Sequence, residues 1–207
     1  MWWTLAALAQ TPFDPPERAP LQQFVGRANV DVFSLPITPD CFRHPLGDGT
    51  HPPEAFDTSQ AWRGKRKHLG EDWRHVSGDS VGQTIHAMAD GTVHTAEDFG
   101  QNGWGLVVRI AHRVEQQVPE GGKTSRLEGY TFYETLYAHL DRLDVSPGQR
   151  VKAGDVIGTI GESGGVNHAH LHLEVRDVMN LDLGQGYGLN TRGYLEPSAF
   201  MTAHRCE

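Results

Sequence analysis

A chain of 207 residues, 38% hydrophobic and 21% charged, buries a sizeable core without needing a disulfide or metal to hold it together. Its net charge of −8 argues against a protein whose main task is gripping nucleic-acid phosphates, which takes clustered Lys and Arg. Two Cys beside 12 His exclude a Cys-rich zinc ribbon, so any chemistry the histidines perform is imidazole chemistry.

The chain begins Met1-Trp2-Trp3-Thr4-Leu5-Ala6-Ala7-Leu8-Ala9, a short apolar run ending in a small-x-small pattern. It reads either as the truncated remnant of an export signal or as an apolar segment that packs. No apolar run reaches the roughly 18 residues of a membrane span. Residues 11–20 hold Pro12, Pro15, Pro16 and Pro20 and read as an extended spacer. Residues 21–62 are Pro-punctuated with little periodicity, an irregular N-terminal extension with one candidate strand at 29–33. Cys41 in that extension and Cys206 at the chain end either pair, as an exported protein allows, or are two free thiols.

From about residue 63 the texture changes to short β-rich runs separated by Gly-containing turns. With 24 Gly, about 12% against a usual 7%, turns and short strands are favoured over long helices. Asp90-Gly91 between two such runs predicts a hairpin. Residues 105–112 predict a strong strand, 119–123 the tip of a long hairpin, and 130–140 the return strand. Pro147-Gly148, Ala153-Gly154, Gly158 and Gly161 punctuate short strands around Val151 and Val156-Ile157, and 170–176 is the last clear strand. Helical periodicity is almost absent. The expected fold is all-β, one antiparallel domain over 63–207.

Three segments carry the informative histidines. In His68-Leu69-Gly70-Glu71-Asp72 the His and Asp are four apart, so an extended or gently bent strand turns both to one side; an imidazole and a carboxylate converging suit Zn²⁺, and a chance pairing on a surface loop stands beside that reading. In His168-Ala169-His170-Leu171-His172-Leu173-Glu174 the alternation is strict, with three imidazoles and Glu174 on one face and an apolar face behind. A row of imidazoles adds little to stability, so metal binding or acid–base work is the better reading. In Leu136-Tyr137-Ala138-His139-Leu140 the alternation puts Tyr137 and His139 together, opposite the three apolar residues. The seven other histidines, His44, His51, His75, His86, His94, His112 and His204, are read as ordinary polar residues.

Taken in order, His68-x-Gly-x-Asp72, Tyr137-Ala138-His139-Leu140 and His170-Leu171-His172 resemble the lysostaphin-type, or LytM-domain, zinc endopeptidases of bacterial cell walls. Supporting stretches are Ala89-Asp90-Gly91-Thr92-Val93, Asn102-Gly103-Trp104-Gly105, Gly148 to Gly158 and Gly193-Tyr194-Leu195-Glu196-Pro197. The resemblance spans about residues 63–200. It implies a duplicated hybrid motif fold, barrel-sandwich-like. His68, Asp72 and His172 would bind one Zn²⁺, with His139 and His170 flanking the water. The implied reaction is hydrolysis of peptide cross-links in peptidoglycan by an exported protein acting on stem peptides. His168-Ala169 departs from the Gly-Pro pair more usual there, and Leu173 replaces a more usual Phe. His168 is a candidate for lining the substrate groove or for an exposed rim position, Arg66 for facing substrate carboxylates or for a solvated basic loop, and Glu174 for orienting a ligand histidine or for a solvated position.

Two other readings compete. A non-enzymatic relative that binds cell-wall peptide and regulates a separate amidase would be expected to lack zinc ligands. A carrier-type β domain would match the Gly154–Gly161 region but lacks an attachment lysine turn. Asn29, Asp31, Asp40 and Cys41 are candidates for a fourth, inhibitory ligand from the extension.

Overall fold

Valine, isoleucine, threonine and tyrosine recur through 106–115 and 130–143, and the pleat turns alternate side chains to opposite faces. The computed structural model describes residues 34–48, 54–75, 80–100, 103–115, 130–178 and 181–206. In it β8 (Leu106–Glu115) and β9 (Tyr130–Leu143) form the longest antiparallel pair. The other strands are β1 (Ile37–Thr38), β2 (Glu54–Asp57), β3 (Trp62–Arg63), β4 (Arg66–His68), β5 (Glu71–Arg74), β6 (Thr84–His86), β7 (Gly91–Asp98), β10 (Arg150–Val151), β11 (Val156–Ile160), β12 (Leu171–Arg176), β13 (Tyr187–Gly188) and β14 (Tyr194–Leu195). The large sheet runs β10-β7-β8-β9-β12-β5-β2, with β11 joined to β6 and β9, β14 to β12 and β1 to β8; β13-β4-β3 form a second, small sheet. The strand-rich, mostly antiparallel architecture agrees with the expected all-β fold.

One face of the large sheet is apolar. Trp73, Val108, Ile110, Tyr137, Leu171, Leu173 and Val175 join Ile85, Met88, Ile157 and Ile160 in a buried core. The opposite face is also covered, but mixed in character. Cross-strand partners His172↔Ala138, Glu174↔Leu136 and Arg176↔Glu134, with His172↔Asp72 toward β5, lay a polar row along it. All six residues of β12 are buried, so this row lies inside the protein.

Several expectations change. The Asp90-Gly91 hairpin does not form: β6 pairs with β11, and β7 pairs with β8 and β10. Asp90 instead accepts hydrogen bonds from Ala153 N (2.8 Å), Thr38 Oγ1 (2.7 Å) and His112 Nδ1 (2.9 Å). Gly91 serves close approach, since a Cβ there would stand 2.6 Å from the Ala111 carbonyl oxygen. The extension is not wholly irregular: β2 pairs with β5, and β1 runs parallel to β8. A short helix the sequence reading missed, α1 (Pro197–Ala203), opens with a proline in its first turn and buries Phe200 and Met201.

Cys41 and Cys206 are joined in a disulfide across a sequence separation of 165, their Cα atoms 4.5 Å apart. Phe42 bridges Arg205 beside it. Cys41 is thereby removed from the candidate inhibitory ligands, and Asp40 is paired with His204. Asn29 and Asp31, the apolar start, the strand at 29–33 and the hairpin tip at 119–123 lie outside the described residues. No helix of the described residues is long and apolar enough to cross a membrane.

Candidate metal centre

His68 and Asp72 do converge, but not through strand alternation. His68 ends β4 in the small sheet, Asp72 lies in β5 of the large one, and the chain passes between them at Leu69-Gly70. Gly70 packs so tightly on β12 that a Cβ would meet the Leu173 carbonyl oxygen and stand 2.7 Å from Glu174 Cγ. Any larger residue would push β4 away from β12. His172, opposite Asp72 in the ladder, completes the group.

His68 Nε2 lies 3.0 Å from His172 Nδ1, His172 Nδ1 2.9 Å from Asp72 Oδ1 and His68 Nε2 3.4 Å from Asp72 Oδ1. Zinc holds nitrogen and oxygen donors at about 2.0–2.2 Å, so the edges of its tetrahedron are about 3.3–3.6 Å. The triangle is slightly tighter than that but of the right size. In the metal-free chain a proton on His172 Nδ1 bridges to Asp72, and a metal ion at this point would take that proton's place. His172 Nε2 donates to Glu174 Oε1 at 3.0 Å, which leaves its Nδ1 lone pair free to ligate. His68 Nδ1 is buried without a hydrogen-bond partner, with Asp57 Oδ1 3.8 Å away. The donor set fits a zinc ion.

His139 and His170 stand beside this triangle, their rings 4.6 Å apart. The expected alternation on β9 fails at His139, where φ is +66°, uncommon for any residue but Gly and a mark of local strain. Two residues of β8 (Leu106 to Val108) step against three of β9 (Leu140 to Tyr137). Tyr137 therefore points into the apolar core, His139 turns to the cleft, and Leu140 joins Tyr137 rather than Leu136 and Ala138. The bulge is held by His139 N donating to Trp104 O (3.0 Å) and Gly161 N donating to His139 O (2.8 Å).

Both flanking imidazoles are pinned through Nδ1. His139 Nδ1 lies 2.9 Å from Ser163 Oγ and 3.2 Å from the Trp104 carbonyl oxygen. Ser163 spends its own proton on Gly103 O, so its Oγ accepts from His139. His170 Nδ1 donates to His168 O at 2.6 Å. Neutral His139 and His170 thus carry the proton on Nδ1 and keep Nε2 as a base. His170 Nε2 lies 3.4 Å from Asp72 Oδ1. His168 and Ala169 precede β12, which starts at Leu171. The strict alternation therefore does not extend to His168, whose side chain is exposed.

The protein charges tune these groups. Burial, then the neighbouring His172 and His170, depress His139 to about 3, which keeps it neutral. Burial opposes protonation of His172, but hydrogen bonds to Asp72 and Glu174 outweigh it and raise His172 to about 9. Burial likewise works against the Asp72 carboxylate, and the neighbouring imidazoles of His170 and His172 hold it well below the usual range. This locally anionic environment suits a dication.

The five residues open on a cleft of about 530 Å³. Trp104 forms one wall: its Nε1 donates to Gly184 O at 3.0 Å, and its ring lies 5.3 Å from His172 and 6.2 Å from His139. Tyr187 forms another, stacked on His68 at 4.8 Å with its hydroxyl donating to Asp57 Oδ2. Asn167 bridges Gly103 O and Ser163 Oγ. Arg63 and Arg66 stand on the rim. The sequence reading named Arg66 but missed Trp104, Ser163, Asn167 and Tyr187 as site residues. The Gly-rich turns around 103 and 164 were the only signal for three of them.

The family model for Peptidase family M23 matches residues 66–183. The chain is 37% identical over 130 residues to the peptidoglycan DD-endopeptidase ShyB of Vibrio cholerae, covering 58% of this chain and 26% of that one. It is 52% identical over 94 residues to ShyC of the same organism, covering 45% and 17%. It is also 32% identical over 120 residues to the murein hydrolase activator EnvC of Escherichia coli, covering 58% and 22%. The chain thus spans about a quarter or less of these relatives. Among solved structures, lysostaphin of Staphylococcus simulans superposes with a TM-score of 0.52 at 18% identity, covering 78% of this chain and 54% of that one. That likeness is one of fold. The chain belongs to Peptidase family M23.

Proposed function

We propose that this chain is a zinc-dependent endopeptidase that hydrolyses peptide cross-links of bacterial peptidoglycan. The observation that carries the reading is the donor triangle of His68, Asp72 and His172, flanked by two imidazoles that keep Nε2 as a base. The relatives named as peptidoglycan endopeptidases supply the substrate class. Export to the cell envelope is part of the proposal, supported by the Cys41–Cys206 disulfide, since such bonds persist in oxidising compartments.

His68 Nε2, Asp72 Oδ1 and His172 Nδ1 would hold the ion, with one position left for water or substrate. The chemistry zinc supplies there is polarisation of the scissile carbonyl and a water pKa lowered to near 7. His139 or His170 takes the proton of the attacking water on Nε2 and returns it to the leaving amine, as general base and then general acid. Either imidazolium also offers a donor to the developing oxyanion. The Trp104 carbonyl and Ser163 keep the His139 ring from rotating while it does so, and the His168 carbonyl does the same for His170. Trp104 and Tyr187 exclude water from two sides.

Metal analysis of the purified chain and digestion of purified sacculi test the reading. One zinc per chain and release of cross-link peptides are expected. Stoichiometric zinc without any released peptide would favour a regulator, the role for which one of the relatives is named. Absence of zinc binding would overturn the site.

A further inference from the structure

The small sheet ends in a hairpin that the reaction as described does not use. Strands β3 and β4 are joined by the two-residue turn Gly64-Lys65, and their register sets Arg63 directly opposite Arg66. Like charges directly opposite across a strand pair destabilise it, so the fold alone gives no reason for this choice. Four of the five residues 63–67 are cationic in a chain of net charge −8. Both arginines line the rim of the same cleft as His68, Asp72 and His172.

Neither guanidinium is neutralised. Arg66 donates Nη1 to the neutral amide oxygen of Gln185 at 2.9 Å, and Arg63 stands over the neutral ring of Tyr187, 5.5 Å from its centroid. Among the described residues no carboxylate pairs with either. Gln185 and Tyr187 therefore aim the two heads without neutralising their charge. A guanidinium has five donors in a planar fork that matches a carboxylate, and Gln185 occupies one of Arg66's. Tyr187 also stacks on His68 and pairs with it in the β13–β4 ladder. A ligand group held by this hairpin is thus in register with the metal site.

We propose that Arg63 and Arg66 form a carboxylate subsite, and that the preferred substrate is a peptide carrying a free carboxylate close to the scissile bond. This rests on the hydrolytic reading above for its substrate class, but it makes a claim about recognition that can be measured without turnover. Charge-assisted, bidentate contacts of this kind discriminate more sharply than neutral ones. Amidation of that carboxylate leaves the peptide's shape almost unchanged and removes the charge.

The test uses the full chain and two synthetic cross-linked stem peptides, identical except that the carboxylates next to the scissile bond are free in one and carboxamides in the other. Dissociation constants from calorimetry and kcat/KM from chromatography are measured for both. The wild-type chain is expected to favour the free carboxylate by about tenfold or more. Arg63→Gln/Arg66→Gln is expected to bring the ratio to about one. Lys65→Gln, which removes a neighbouring cation that does not line the cleft, is expected to leave it unchanged. The thermal midpoint of the double variant is expected to be unchanged or raised, because a like-charge pair is relieved. Equal affinity of the wild-type chain for both peptides overturns the subsite even if both are cleaved. An equal effect from Lys65→Gln also overturns it, by showing only the general field of the hairpin. Preferential binding without cleavage supports the subsite and overturns the hydrolytic reading; no binding and no cleavage overturns both.

Discussion

Two polar clusters lie on the same inner face of the large sheet, and their charges are arranged in opposite ways. Around Glu134 the charges cancel. Its Oε1 accepts from Arg109 Nη2 at 2.7 Å and from Arg176 Nη1 at 2.8 Å, and His94 Nε2 lies 2.9 Å from Oε2. Arg176 Nε in turn donates to Glu174 Oε2 at 2.7 Å, so two carboxylates face two guanidiniums. Around Asp72 there is no fixed counter-charge: imidazoles converge on the carboxylate, held in the metal-free chain by a labile proton, and the cleft opens beside them. Burial of an ion pair is tolerable only when every charge is matched and hydrogen-bonded. A cluster matched only by a labile proton can exchange that proton for a metal cation. Glu174 belongs to both, bonding His172 on one side and Arg176 on the other.

Substitutions at the two clusters should therefore separate metal binding from stability. The largest effect is expected from His172→Ala, which removes a donor from the unmatched cluster. Zinc stoichiometry should fall to near zero and turnover by at least about a thousandfold, the several kcal/mol that the metal's charge supplies to the transition state. Denaturant unfolding of the metal-free variant should remain cooperative, because Glu134 and its partners are untouched. His139→Ala is the counterpart within the same cleft: zinc retained, turnover lost. Loss of zinc in that variant would make His139 a ligand and redraw the triangle.

Glu134→Gln attacks the matched cluster. Arg109 and Arg176 lose their shared counter-charge, and breaking one partner out of a buried pair costs about 3–5 kcal/mol. Chemical denaturation should show that loss while zinc content stays at one per chain. A loss of zinc with little change in stability would mean that the two clusters are one functional unit.

Glu174→Gln probes the residue they share, with a smaller expected effect. An amide at that position still accepts through its oxygen but no longer supplies charge to the His172 N–H. Partners of this kind usually account for about 10–100-fold in metal affinity. Competition with a chelator of known affinity measures it.

The two clusters were unequally legible in the sequence. The proposed ligands and the two histidines beside them were readable as a group because three short motifs carry them and a pleated strand exposes its period of two, as at His172 and Glu174. Even there the reason differed from the expectation. His68 and Asp72 meet across the interruption between β4 and β5 at Leu69-Gly70 rather than along one strand, and His139 reaches the cleft through a positive φ that nothing local in Tyr137-Ala138-His139 announces. The matched cluster was not readable at all. Glu134 looks like any strand carboxylate, and its partners Arg109 and Arg176 stand 25 and 42 residues away. Only the register of β8, β9 and β12 brings them together. Asp90-Gly91 failed as a hairpin signal for a similar reason, because Asp90 is engaged by Thr38, His112 and Ala153 from three other parts of the chain.

The smallest expected effect lies at the edge of the matched cluster and concerns pH. His112 is fully buried, with Nδ1 donating to Asp90 O and Nε2 accepting from Thr135 Oγ1. Burial is the chief cause that lowers its pKa to about 4, with His94 adding to it and the Asp90 and Glu134 charges opposing. The unfolded chain protonates this imidazole near 6.5, so between 6.5 and 4 the unfolded state binds more protons and stability falls as pH falls. The contribution is fully present above 6.5. Lowering the pH from 7 to 5.5 should remove about 1 kcal/mol through this group, read as a shift in denaturation midpoint. His112→Gln removes the titration, so its stability should change less over that interval than that of the wild-type chain. Parallel pH dependence in the two would show that His112 is protonated in the folded protein and that the matched cluster tolerates one more positive charge.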